Sequence, residues 1–311
     1  MPLRYIIHPL TGEMLIPEEA PGILEEEGVM PAEAVQAVVE DRSGGGPVWP
    51  YLSPSYCIPE NTCRRKLLMQ RTLECDINPM SYEGANEGTA WHDFMEKQPT
   101  LEGWHKEVWL PDQDGADDSH PQVRVIEHKG RKVRQLEFFP GLWMRTRIDR
   151  ASPDWSRLYN HKTSRWPKGY YDEKKGRVPK TDYGDRDARG SWAVQGNLER
   201  RAVELLRGTK VEELWVWRKY RGSQILRFSY RKFPVQVWTD DRLWGEIQEF
   251  VQGLLPVLQL ASETEHEEDF LKLAKSLPMD GKDKNMFNGW LCRDGCPFRE
   301  QCYGLQGFVL F

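Results

Sequence analysis

The distribution of hydrophobic and polar positions changes character near residue 50. Before it, the apolar residues are broken up by Glu18, Glu19, the acidic run Glu25–Glu27 and the glycine-rich stretch 43–47. Such composition buries little, so residues 1–50 are predicted to form a flexible N-terminal extension, with one short helix over Pro31–Val39. From Tyr51 to Phe311 the spacing is that of a packed domain. Thr62–Leu73 and Gly88–Lys97 read as helices, the second with Ala90, Trp91, Phe94 and Met95 as its apolar positions. Trp104–Leu110, Val123–His128, Leu142–Asp149 and Arg157–Lys162 read as strands. Ser191–Leu206 is predicted as a helix capped by Ser191, with Trp192, Leu198, Ala202 and Leu205 on one side. Glu212–Arg218 and Gln224–Tyr230 suggest a hairpin, and Arg242–Leu260 a further amphipathic helix interrupted by Pro256. Strands interleaved with helices predict an α/β fold with a mixed central sheet flanked by helices.

Composition narrows this picture. The 311 residues suffice for one large domain or two small ones, and net charge is −5, which gives no global sign of a nucleic-acid binder. No apolar run approaches the ~18 residues of a membrane span, and Met1–Leu15 lacks the continuous apolar stretch of a secretory signal. A cytoplasmic protein without membrane association is expected. In a reducing compartment the 6 cysteines are expected as thiol ligands rather than bridges.

The most informative stretch runs from Gly141 through Ile148-Asp149-Arg150, turns, and continues through Asn160-His161-Lys162-Thr163. As a hairpin it brings Asp149 near the end of one strand and Lys162 near the end of the next, and residues 160 and 162 share a face. An acid, a second oxygen ligand and a lysine converging there suit metal-assisted phosphodiester hydrolysis. Hard oxygens hold Mg²⁺ or Mn²⁺, and a lysine can orient the attacking water or neutralise developing charge.

These residues resemble the RecB-like branch of the PD-(D/E)XK nuclease superfamily. That branch combines a Gly-x-x-x-His helix, an Ile-Asp-Arg strand, a carboxylate-x-Lys-Thr strand and a downstream helix with a glutamine. The counterparts here are Gly88 to His92, Ile148-Asp149-Arg150, Asn160-His161-Lys162-Thr163 and Gln195. The resemblance implies a restriction-endonuclease-like core. It also implies His92 and Asp149 as Mg²⁺ or Mn²⁺ ligands with help from Asn160, a catalytic Lys162, and Gln195 beside the site. One departure matters: Asn160 stands where the family has a carboxylate. An amide oxygen can ligate a cation but brings no charge, so affinity and turnover should both fall unless an acid such as Glu96 or Glu107 has migrated. A smaller departure is Glu199, where relatives often have tyrosine.

Near the C-terminus stand Cys292, Cys296 and Cys302, and near the start of the packed domain Cys57 and Cys63. Three closely spaced thiols plus a distant fourth suit either an Fe–S cluster or zinc. Some RecB-like nucleases, among them CRISPR-adaptation and AddB-type enzymes, close the domain with a [4Fe–4S] cluster on one N-terminal and three C-terminal cysteines. By that resemblance the ligands are Cys63, Cys292, Cys296 and Cys302, with Cys57 as the alternative to Cys63, and the site joins the chain ends. The gap between Cys292 and Cys296 is one residue longer than the common pattern.

Lys162–Lys180 is rich in Lys and Arg and carries Trp166, Tyr170 and Tyr171. There Arg165, Lys168, Lys174 and Lys175 are candidates for DNA phosphates, with rings available for bases. Trp217–Lys232 is a second basic stretch without an acid. A solvated loop and a polar hairpin face are the plainer readings of both. The expected function is metal-dependent DNA cleavage, exonucleolytic on single strands or duplex ends, in recombination, repair or phage DNA processing. DNA and a recombination, helicase or CRISPR-adaptation protein are the implied partners. The rival readings are a DNA-binding or assembly protein that keeps the fold without catalysis, and a zinc-stapled interaction module.

Overall fold

The computed structural model describes residues 3–43, 52–59, 62–69, 75–77, 79, 103–128, 131–165, 191–221, 230–263, 267–280, 296, 298 and 302. In chain order the elements are β1 (Leu3–Ile7), β2 (Met14–Leu15), α1 (Ala20–Glu26), α2 (Ala32–Ser43), α3 (Arg64–Met69), β3 (Cys75–Ile77), β4 (His105–Leu110), β5 (Val123–His128), β6 (Arg131–Phe139), β7 (Leu142–Met144), β8 (Thr146–Ala151), β9 (Arg157–Arg165), α4 (Ser191–Arg207), β10 (Glu213–Arg221), β11 (Tyr230–Val235), α5 (Asp240–Glu263) and α6 (Glu267–Ser276). They fall into two compact units, each assembled from separated segments.

One unit comprises Met1–Pro50, Glu60–Glu87 and Gln252–Phe311. Its sheet has the order β2-β1-β3, with β1 antiparallel to β2 and parallel to β3. Here the structure differs from the expected flexible extension. Acidic and glycine residues break up this stretch, but Ile6, Leu15, Leu24, Val35 and Val38 are all buried. The acidic run also has a partner within the unit: Glu27 accepts from the buried His8 at 2.8 Å. The His8 Nδ1 in turn accepts from the amides of Leu10 and Thr11. The first predicted helix is Ala32–Ser43, and the helix expected over Thr62–Leu73 is described as Arg64–Met69.

The second unit comprises Tyr51–Pro59 and Gly88–Val251. Its five-stranded sheet has the order β11-β10-β9-β8-β4 and is mixed, because β10 runs parallel to β9 while its other neighbours pair antiparallel. The connection between β9 and β10 carries α4, as a parallel crossover requires. α4 lies against β8, β9, β10 and β11 and buries Ala193, Val194, Leu198, Ala202 and Val203. A three-stranded antiparallel sheet, β5-β6-β7, adds Leu136, Phe138, Leu142 and Met144 to the buried set. The predicted strand Leu142–Asp149 is two strands, because the chain leaves the β6 edge after Met144 and joins β4 from Thr146. Gly141, at φ +78°, makes the tight turn into β7, a backbone conformation that glycine adopts without strain. The helix expected to be interrupted at Pro256 runs continuously through it. Among the described residues no closed barrel forms, and no helix is long and apolar enough to cross a membrane.

Candidate active site

The hairpin that joins β8 to β9 is fixed at its turn. Asp154 Oδ1 accepts from the Ser152 hydroxyl at 2.6 Å and the Ser156 amide at 3.1 Å. These bonds hold the Asp154 carboxyl at about 2, well below the usual carboxylate value. Trp155 follows with φ +63°, a left-handed conformation that a tryptophan rarely adopts. Its ring stacks on His105 at 4.1 Å, which ties the turn to β4.

From this turn the strands pair at Ala151–Leu158 and Arg150–Tyr159, and the ladder then stops. Beyond it a side chain takes over: the Asp149 carboxylate accepts from the His161 amide at 2.6 Å. The acid is thus anchored where the two strands part. Leu158, Asn160 and Lys162 alternate with Tyr159 and His161, so the first three share the face of β9 toward α4.

α4 meets that face with Gln195 and Glu199, four residues apart and therefore on one side of the helix. Asn160 Nδ2 donates to both Glu199 carboxylate oxygens at 2.9 Å, and Gln195 Nε2 donates to Oε1 at 2.7 Å. Glu199 is 2% exposed and Asn160 4%. Burial pushes the Glu199 carboxyl up to about 7, and the Asp149 charge adds to the rise. Lys162, Gln195 and Asn160 pull the other way. Asp149, Asn160, Lys162 and Gln195 are therefore brought together, and Glu199 sits among them. In the sequence Glu199 stands out only as a departure from the tyrosine of relatives, with no role in the site.

Asn160 Oδ1 is buried and has no hydrogen-bond partner in the structure. An orphaned buried carbonyl costs roughly 1–3 kcal/mol and calls for a ligand or a function. A hard oxygen beside two carboxylates is the donor chemistry of Mg²⁺ or Mn²⁺. Glu107, one of the two acids considered as migrated, lies on β4 between the pairs Lys106–Arg150 and Val108–Ile148, and it pairs with Arg147 at 2.8 Å. His92, Glu96, Lys168, Lys174 and Lys175 lie outside the described residues, as does the side chain of Arg165.

No protein-family model and no curated protein matches this chain. A solved structure described as the crystal structure of SSO0001 aligns over 86% of this chain and 92% of its own, at 14% identity and a TM-score of 0.39. The functional reading rests on this chain's own residues.

Three of the candidate cluster cysteines lie in the other unit. Cys63 is buried, and Cys296 and Cys302 are partly buried. Both of the latter two feel the charge of Cys63, and Cys296 also feels that of Cys302. Burial pushes the Cys296 thiol up to about 11 and raises that of Cys302, which also accepts from Arg65 at 3.5 Å. Cys292 lies outside the described residues, and Cys57 belongs to the unit that carries the β8–β9 hairpin. Among the described residues no group of three or more His, Cys, Asp and Glu side chains is arranged to hold a metal ion.

The opposite face of the five-stranded sheet is aromatic and basic. Trp104 and Tyr159 lie 5.4 Å apart, Tyr159 and Trp217 6.4 Å, and His161 and Trp217 5.9 Å. Lys232 lies 3.7 Å above the Trp215 ring and donates to the Tyr159 hydroxyl at 3.2 Å. Trp217 and Lys232 are register partners across β10 and β11, so the described ends of the second basic stretch sit side by side.

Proposed function

We propose that the protein is a metal-dependent deoxyribonuclease acting on single strands or duplex ends. The observation that carries this reading is the convergence of Asp149, Asn160, Lys162 and Gln195 where β8 and β9 part, with a buried Asn160 oxygen left unpaired. Mg²⁺ or Mn²⁺, held by Asp149, His92 and the Asn160 oxygen, would supply Lewis-acid polarisation of the phosphoryl group and a more acidic water. The protein's own groups do the rest. The His161 amide fixes the Asp149 carboxylate, so the acid meets a ligand without reorganising. Lys162, on the face shared with Asn160, orients the attacking water and offsets the charge that grows on the phosphorane oxygens. Gln195 holds Glu199 in place against Asn160. A [4Fe–4S] cluster on Cys63, Cys292, Cys296 and Cys302 serves as a staple in the other unit, and a cytoplasmic DNA-processing role follows from the same reading.

The test is cleavage of end-labelled single-stranded, blunt and overhanging DNA with Mg²⁺ or Mn²⁺. Asp149→Ala and Lys162→Ala should each lower the rate by about 10²–10³-fold at unchanged folding. The neutral Asn160 amide favours one alternative, a DNA-binding protein that has lost catalysis. Salt-sensitive DNA binding with no cleavage under either metal would establish that alternative.

A further inference from the structure

We propose that Glu199 is the second carboxylate of the divalent-cation site, so that the charge missing at position 160 is supplied from helix α4. This deepens the nuclease reading above by naming the ligand set of the same centre. Three observations carry it.

The first is proximity. The Asn160 amide nitrogen donates to both Glu199 oxygens at 2.9 Å, which sets the Glu199 carboxylate directly against position 160. An aspartate at 160 would set two carboxylates face to face. The amide turns that clash into hydrogen bonds and leaves the site's charge with Asp149 and Glu199. The second is the company Glu199 keeps. Its hydrogen-bond partners are two neutral amides, Asn160 and Gln195, and the cation that acts on it, Lys162, belongs to the same cluster and does so through space. Asp280, about as buried, is instead clamped by the Arg64 guanidinium at 2.8 and 2.9 Å, the usual arrangement for a structural acid. The third is the unpaired Asn160 Oδ1, buried within the same cluster. With Glu199 ionised, Asp149, Glu199 and this oxygen together form a hard, dianionic donor set suited to Mn²⁺ or Mg²⁺. Glu107, the rival source of the second charge, is engaged by Arg147.

The experiment titrates the full chain with Mn²⁺ alone, without DNA, by calorimetry and by loss of the free-ion EPR signal, with a thermal melt for each variant. The parent should bind Mn²⁺, and Glu199→Gln should weaken binding by about 10–100-fold. The charge-relocating double variant Asn160→Asp/Glu199→Gln should regain most of the affinity. If Glu199→Gln does not melt cooperatively, the double variant decides: affinity near the parent's supports the assignment, and its loss overturns it. Parent-like binding in Glu199→Gln together with loss in Asp149→Asn would overturn the role of Glu199 and leave the nuclease reading standing. A parent that binds no Mn²⁺, or an Asp149→Asn variant that binds as the parent does, would overturn both.

Discussion

Sealing a carboxylate from water disfavours its charged form, and Glu199 shows the consequence. Its carboxyl is raised by burial and by Asp149 from the ordinary 4.5 to about 7. In the metal-free protein the folded state therefore holds a proton between those values that the unfolded chain has released. The stability linked to this group is greatest below about pH 4.5 and declines as pH rises through 7, by about 3 kcal/mol once both states are ionised. With metal chelated, Glu199→Gln should raise the melting temperature relative to the parent at pH 8, and the gain should shrink toward pH 5. An equal offset at both pH values would mean that the side chain acts through packing alone. The same residue marks the limit of what was legible in the candidate site. Asp149, Asn160, Lys162 and Gln195 could be picked out because their neighbours form recognisable pieces in order along the chain. Glu199 stood out only as a departure from a tyrosine, because its role depends on Asn160, 39 residues earlier, and on the angle at which a helix meets a strand.

The element that brings Glu199 to the sheet is itself held by charge at the start of the next helix. Arg200 and Arg201 of α4 both reach Asp240 in the first turn of α5. Arg200 also pairs with Glu204, and Arg201 donates to the Phe138 carbonyl. Burial acts to raise the Asp240 carboxyl, but the two guanidiniums overcome this and hold it below its usual value. Asp240→Asn would leave two largely buried cations without their shared anion, so about 2–4 kcal/mol of stability should be lost in urea unfolding at neutral pH. The loss should begin to shrink as pH falls through the ordinary carboxylate range and close only below it, at the depressed value where the folded parent's Asp240 is protonated too. A pH-independent loss would point to the altered helix start instead. Long periodic elements such as α4, α5, β4, β5 and β9 were readable from spacing alone. β6 was not, because Arg131, Lys132 and Arg134 interrupt its apolar residues, and the buried Gln135 is satisfied by Arg124 at 2.7 Å. β1, β2 and α1 were missed for a related reason: these short elements bury only one to three residues each, too few to set a period.

At the scale of the molecule, the unit that carries the C-terminal thiols is built from both chain ends and an inner segment, Glu60–Glu87. Such a unit must close long loops before its contacts form, and a link across those loops gains stability from the entropy it removes from the unfolded chain. Existing links converge beside Cys63. Arg64 is bonded to Asp280 through its amide at 3.0 Å and through its guanidinium, and Arg65 donates to the carbonyls of Leu277 and Lys275 at 2.6 and 2.8 Å. Arg65 also reaches Cys302, so the first turn of α3 already holds the segment from which the C-terminal thiols come. A metal bound to Cys63 and its C-terminal partners would tighten a closure that these hydrogen bonds have begun. Protein prepared without oxygen should therefore be brown, with absorbance near ~400 nm and about four irons per chain. Cys296→Ser should bleach it and make the C-terminal segment the first part cleaved in limited proteolysis, while the Mn²⁺ affinity of the β8–β9 site stays unchanged. Stoichiometric zinc with no iron would replace the cluster by a structural zinc site. A colourless, metal-free protein whose proteolysis pattern is indifferent to Cys296→Ser would leave the closure to the Arg64 and Arg65 contacts alone.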